Sequence, residues 1–296
     1  MDTFSQLLQY IFTGVAVGTI YGMVALGFNI IYNATGIINL AQGEFVMLGG
    51  MVMISLTSGL KLPMPLGFFI SVGIVTLIGV AFERGAIHPL KNPSIMTLII
   101  ITVAVSILLK GAAMFIWGKQ THTLPPFSSA NPILIGKASL TPQTIWILGI
   151  MATSMVFLAV FFNFTMTGKA MRACAANRVA ASLVGINVKL MVLFSFALSA
   201  AIGAVAGIII TPVALMDYDR GTIFAIKGFA TAVLGGLGSN VGAVVAGFII
   251  GLMESLGAGF ISSGYKDAIA LLVLLFVLFF KPGGIMGGKE ERGRKI

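Results

Sequence analysis

Apolar residues in this chain come in long uninterrupted blocks, each close to the roughly 20 residues an α-helix needs to cross a bilayer. The blocks lie near 7–31, 37–59, 62–82, 93–117, 140–163 and 191–215. A glycine-rich pair follows near 222–236 and 240–260, and a last block near 265–281. In lipid every backbone N–H and C=O must be satisfied internally, which leaves helices or closed barrels. Barrel strands alternate over about 10 residues, and these blocks do not. The chain is therefore expected to be an all-α membrane protein, a polytopic helical bundle. The glycine-rich pair reads either as two crossings or as one re-entrant or broken hairpin, giving about eight or nine transmembrane segments. With 58% hydrophobic and only 9% charged residues, against about 25% charged in soluble domains, the chain lacks the polar surface of a water-soluble protein.

The net charge of +9 invites a nucleic-acid reading, but the cations sit in loops beside apolar blocks. Arg84, Lys91, Lys169, Arg172, Arg178, Lys189, Lys281, Lys289, Arg292, Arg294 and Lys295 fall in one set of connections, eleven in all. The alternate connections hold five, Lys61, Lys119, Lys137, Arg220 and Lys266. The positive-inside rule puts the first set in the cytoplasm. The segment Met1–Gln6 lacks the basic start of a signal peptide, so the first block is expected to be retained as a helix. Cys174 is the sole cysteine, which excludes an intrachain disulfide and argues against a cysteine metal site. His88 and His122 have no matching ligand at metal spacing. No nucleophile–base pair stands out, so no catalytic residue is assigned. The connection 118–139, with Pro125, Pro126 and Pro132, reads as an irregular external loop, either a connector or a contact for an extracytoplasmic partner.

Small residues recur four apart. Gly14, Gly18 and Gly22 form one ladder, Gly203 with Gly207 a second, and Gly247 with Gly251 a third. Glycine at i and i+4 bares one helix face so that a second backbone can approach, within the subunit or at a partner. Asn39 and Gln42 carry the spacing of a helix N-cap and its reciprocal partner. Glu44 then lies just inside the helix, as a structural residue or, since a carboxylate in a span needs a partner or water, as part of a translocation pathway. Asn39, Gln42, Glu44 and Glu254 are the pathway candidates. Lys110 and Lys227 also fall within apolar blocks, near enough to span ends to snorkel outwards.

The connection 164–190 is basic and alanine-rich, and alanine favours helix. Gly185 is placed to end that helix in the left-handed conformation. Such a helix either lies on anionic lipid or docks on a cytoplasmic partner. Gly283 to Lys289 fits the phosphate-loop pattern, but Glu290 stands where Ser or Thr must bind Mg²⁺. The chain is thus expected to bind no nucleotide, and any ATP and Mg²⁺ belong to other subunits.

Several stretches carry a resemblance: Gly36-Ile37-Ile38-Asn39-Leu40-Ala41-Gln42-Gly43-Glu44-Phe45-Val46-Met47-Leu48-Gly49, Arg172-Ala173-Cys174-Ala175, Ala181-Ser182-Leu183-Val184-Gly185-Ile186-Asn187, Thr231 to Ser239, Val241-Gly242-Ala243 and Lys281-Pro282-Gly283-Gly284. On these residues the chain resembles the LivH-type permeases of branched-chain amino acid ABC importers. The resemblance implies one permease domain over 1–296, with a cytoplasmic coupling loop at 164–190 and a cytoplasmic tail at 282–296. It implies a multi-pass protein of a bacterial or archaeal inner membrane that is not itself an enzyme. The implied partners are a second related permease forming a heterodimeric pore, two cytoplasmic ATPase subunits and an extracytoplasmic binding protein that delivers a small-molecule substrate; nucleic acid is not among them. Val179-Ala180-Ala181-Ser182-Leu183-Val184-Gly185 matches the importer pattern E-A-A-x-x-x-G except that Val179 replaces the glutamate. Arg172, Arg178, Ala180, Ala181 and Gly185 are the coupling residues so implied, with the two arginines as polar docking contacts. Within the same architecture, urea, short amides or another amino acid could be the cargo. An ion-coupled secondary transporter using Glu44 or Glu254 is the alternative of a different class.

Overall fold

Five short polar side chains start five helices in the same way. Ser94, Thr165, Asn177, Asn187 and Ser239 each accept a hydrogen bond from the backbone N–H three residues on, satisfying one of the donors that a helix start leaves free. In the computed structural model, which describes residues 3–90, 94–128, 131–281 and 283–286, eleven α-helices are formed. They are α1 (Thr3–Thr35), α2 (Gln42–Ile54), α3 (Met64–Phe82), α4 (Ile95–Trp117), α5 (Pro142–Phe164), α6 (Met166–Ala176), α7 (Arg178–Leu183), α8 (Val188–Ile210), α9 (Arg220–Gly235), α10 (Asn240–Phe260) and α11 (Lys266–Phe280). π-Helical turns extend α2 over Ser55–Gly59 and α3 over Glu83–Ile87. Lys91, Lys289, Arg292, Arg294 and Lys295, and with them most of the expected tail, lie outside the described residues.

Among the described residues, six helical segments are long and apolar enough to cross a membrane: Phe4–Thr35, Met64–Ile87, Ile95–Trp117, Pro142–Phe164, Val188–Ile210 and Asn240–Phe260. The blocks expected at 37–59, 222–236 and 265–281 are also helical, but α2, α9 and α11 have 13, 16 and 15 residues. α9 and α11 are shorter than a full crossing, and α2 continues through its π-turn to Gly59.

The chain divides into two compact units. One comprises Ile30–Phe127 and Ala152–Ile226. Its centre is α2, which buries every residue from Gln42 to Ile54. Small residues allow this. A Cβ on Gly207 would meet the Val46 carbonyl, one on Gly49 the Ala204 backbone, and one on Gly79 the Ala200 side chain. Phe82 fills the space between Phe45 and Phe196, at ring-centroid distances of 6.4 and 5.2 Å. Ser71 Oγ donates to the Gly49 carbonyl at 2.9 Å. In contrast, α4 turns Ile100, Ile107, Leu108 and Phe115 outwards, as a helix bordering lipid would.

The other unit comprises Met1–Asn29, Ser128–Met151 and Lys227–Ile296. Tyr21, Leu234, Ala246, Ile250 and Ala270 form its core. Its part of the 118–139 connection is more ordered than proline content suggests. β1 (Ile133–Ile135) pairs antiparallel with β2 (Ala138–Leu140) around Gly136, whose φ of 66° suits glycine. The Ser139 N–H donates to Gln9 Oε1 at 2.9 Å, fastening the hairpin to α1.

Candidate functional site

The break between α1 and α2 is where polar residues gather in the first unit described. Gly36, at φ 68°, ends α1 by donating its N–H to the Tyr32 carbonyl at 2.7 Å, a left-handed helix stop. The next helix begins at Gln42, two residues later than an Asn39 cap requires. Asn39 instead makes a local turn, its Oδ1 accepting from the Ala41 N–H at 3.1 Å. The capping box is therefore absent, and Gln42 reaches across to α8. There its Nε2 donates to the Ser199 carbonyl at 3.2 Å, and its Oε1 accepts from Ser199 Oγ at 2.5 Å. Asn39, Gln42 and Glu44 are all fully buried.

Glu44 sits in the first turn of α2, where the helix dipole favours a negative charge. Its Oε1 accepts from Ser106 Oγ at 2.9 Å, while its Oε2 has no hydrogen-bond partner among the described residues. A Cβ on Gly221 would collide with that carboxylate. Four residues along α4, Lys110 pairs with Asp219, so it is anchored by a carboxylate and does not simply snorkel. One turn in the other direction, Thr102 Oγ1 accepts from the Leu40 N–H at 3.3 Å. Thr102, Ser106 and Lys110 thus form a polar stripe at i, i+4, i+8 on an otherwise apolar helix, facing the break, Glu44 and Asp219. That four-residue spacing is legible in the sequence.

In the second unit, Glu254 accepts from four donor contacts. Lys227 Nζ lies 3.0 and 3.1 Å from its two oxygens, Tyr21 OH 3.1 Å and Lys266 Nζ 3.1 Å from Oε1. Lys227 also donates to Tyr21 OH at 2.9 Å. Lys227 is buried and turned inward, so the snorkelling expectation fails for it; a carboxylate one turn of chemistry away in space, but 27 residues away in sequence, holds it. Two of the three glycine ladders occupy the same unit. Gly14 and Gly18 lie against Gly251 and Gly247, where a Cβ on Gly18 would stand 2.4 Å from the Gly247 carbonyl. Gly22 approaches Val244 and the Met151 side chain. The remaining ladder, Gly203 and Gly207, lies in the other unit against Phe45 and Val46.

The basic segment folds as two helices rather than one. Asn177 interrupts it with extended backbone and caps α7, its Oδ1 accepting from Ala180 N–H at 3.0 Å. Gly185, at φ 86°, ends α7. Its N–H bonds the Ser182 carbonyl, and the Ile186 N–H the Ala181 carbonyl, the paired closure that a left-handed glycine permits. Ala181 is buried, while Val179, Ala180, Leu183 and Val184 are exposed. Arg172 is exposed and donates to Asn163 Oδ1 at 3.1 Å. Arg178 is exposed as well, but its Nη2 reaches back to donate to the Thr35 carbonyl. Desolvation lowers the Arg178 guanidinium below its ordinary range and raises the neighbouring buried Cys174 thiol above its own.

Comparison with known proteins places this arrangement. Residues 10–278 match the family described as the permease component of branched-chain amino acid transport systems. The chain belongs to that family. The high-affinity branched-chain amino acid transport system permease protein LivH of Escherichia coli (strain K12) is 32% identical to this permease over 305 residues, covering 98% of each chain. BraD of Pseudomonas aeruginosa, described in the same words, is 31% identical over 98% of this permease and 99% of its own length. Among solved structures, a chain of PsaBC from Streptococcus pneumoniae in complex with Fab aligns with a TM-score of 0.52 at 14% identity, over 95% of the permease and 94% of that chain. That likeness concerns the fold alone.

Proposed function

We propose that this permease carries branched-chain amino acids inwards across a bacterial or archaeal inner membrane, as one subunit of an ATP-driven importer. The observation that carries the reading is the near end-to-end match to LivH, reinforced by a family match running from residue 10 to residue 278 through both compact units. Residues 1–296 act as one permease domain. In it α2, α9 and α11 add to the six long spans, bringing the segments within the membrane to eight or nine, with the α9–α10 pair broken at Gly236 and Gly238. ATP and Mg²⁺ are bound by two partner ATPases, whose closure bears on 164–190. A second, related permease completes the pore, and an extracytoplasmic binding protein delivers the substrate.

In this mechanism the exposed apolar residues of α7, Val179, Leu183 and Val184, seat in the ATPase. Arg172 supplies a polar contact at the rim. Gly185 fixes the exit of the chain towards α8. Asn39, Gln42 and Glu44 lie buried at the α1–α2 break and reach the pathway when that break moves. Selectivity rests largely on the binding protein, since the buried polar groups of this chain bond mainly to one another.

The assembled importer, reconstituted in proteoliposomes with ATP inside and binding protein outside, tests the substrate class. Labelled leucine is expected to accumulate, with competition from isoleucine and valine and none from urea or ribose. Uptake of urea in preference to leucine would overturn the assignment.

A further inference from the structure

Arg178 occupies an unusual position for a residue on a cytoplasmic helix. It is the first residue of α7, yet its guanidinium reaches the carbonyl of Thr35, the last residue of α1. Thr35 is buried. Its hydroxyl donates to the Ile31 carbonyl at 2.6 Å and accepts from the Ile37 N–H at 3.2 Å. Its own carbonyl is one of those that a helix end leaves without an intrahelical donor, at the negative pole of a 33-residue helix. A guanidinium, which keeps its proton, is suited to that place.

Immediately beyond Thr35 lies the helix break. From Gly36 to Ala41 no helix runs, and side chains hold this segment and the start of α2. Leu40 N–H is held by Thr102, Gln42 by Ser199, and Glu44 by Ser106. Arg178 is thus the contact by which α7 holds one end of a segment whose other end presents Glu44. We propose that Arg178 is a positioning residue: it transmits displacement of α7 to the α1–α2 break, and it does not dock the ATPase. The inference rests on the importer reading for the source of that displacement, and Arg172 serves as the contrasting docking residue.

Two measurements on the full chain test it. In the permease alone in detergent, hydrogen exchange of the Gly36 and Ile37 amides should quicken about tenfold in R178A, the size expected for a lost hydrogen bond to a charged group. R178K, which keeps one charged donor, should restore part of the protection. In the assembled importer, R178A should retain the ATPase subunits at wild-type stoichiometry and hydrolyse ATP, but import several-fold less substrate per ATP. R172A should instead weaken retention of the ATPases. Unchanged exchange at Gly36 and Ile37, or loss of the ATPases in R178A, would overturn the proposal. Absence of any ATPase from the wild-type preparation would count against the importer reading itself, while the exchange result would still decide whether Arg178 holds the break.

Discussion

Replacing Lys227 by methionine leaves Glu254, a carboxylate only 1% exposed, without the cation that contacts both of its oxygens. Removing one partner of a buried ion pair costs about 3–5 kcal/mol, because the remaining charge is stranded, whereas replacing both by apolar residues is often near neutral. K227M is therefore expected to lower the melting temperature in detergent well below wild type, and K227M/E254M to recover most of the loss. Equal melting of K227M and wild type would show that Lys266 and Tyr21 suffice for Glu254. A double variant that melts normally but no longer imports would instead assign Glu254 a part in translocation. At this scale the sequence was only partly legible. Glu44 and Glu254 stood out because a carboxylate in an apolar block is costly. Their partners did not, since Ser106 is 62 and Lys227 is 27 residues away, and only the folded chain brings them together. The Asn39–Gln42 spacing misled because Ser199 competes for the glutamine side chain that a capping box would have used.

Among the elements, the glycine ladders make the sharpest demand on sequence. Where Gly18 meets Gly247 and Gly14 meets Gly251, backbone touches backbone and no side chain can yield. A leucine at Gly18 or Gly247 must push α1 and α10 apart, and overpacking of this kind costs about 1–3 kcal/mol. G18L and G247L are expected to lower detergent stability by that order, and G73L, in open space on α3, to leave it unchanged. Similar losses for all three would mean that close approach does not decide, since helix propensity by itself favours leucine over glycine. The ladders were readable because the four-residue period is a local property of the chain. The ends of α6 and α7 were readable in part for the same reason: Gly185 announces a left-handed stop. The interruption at Asn177 was not anticipated, because an alanine-rich run masks a residue that caps one helix while ending another.

For the molecule as a whole, apolar block length gave the helical membrane fold directly, and each block has its helix. The number of crossings was harder to read, because hydropathy reports apolar character and not how far a helix runs. α2 is apolar but passes after 13 residues into a π-turn that runs to Gly59, and it is buried by protein on every side. The hairpin in 118–139 escaped notice because its strands have three residues each. Assembly is a property that no single chain displays, and the proposal of partner subunits rests on family membership and on the exposed apolar side chains of α7. The most direct test is purification of the tagged full-length permease from native membranes in mild detergent, with identification of what accompanies it. The account predicts a second, related permease and two ATPase subunits, with the ATPases lost and the second permease kept when α7 is altered by L183D. A permease that purifies without ATPases from membranes where it imports its substrate would contradict it.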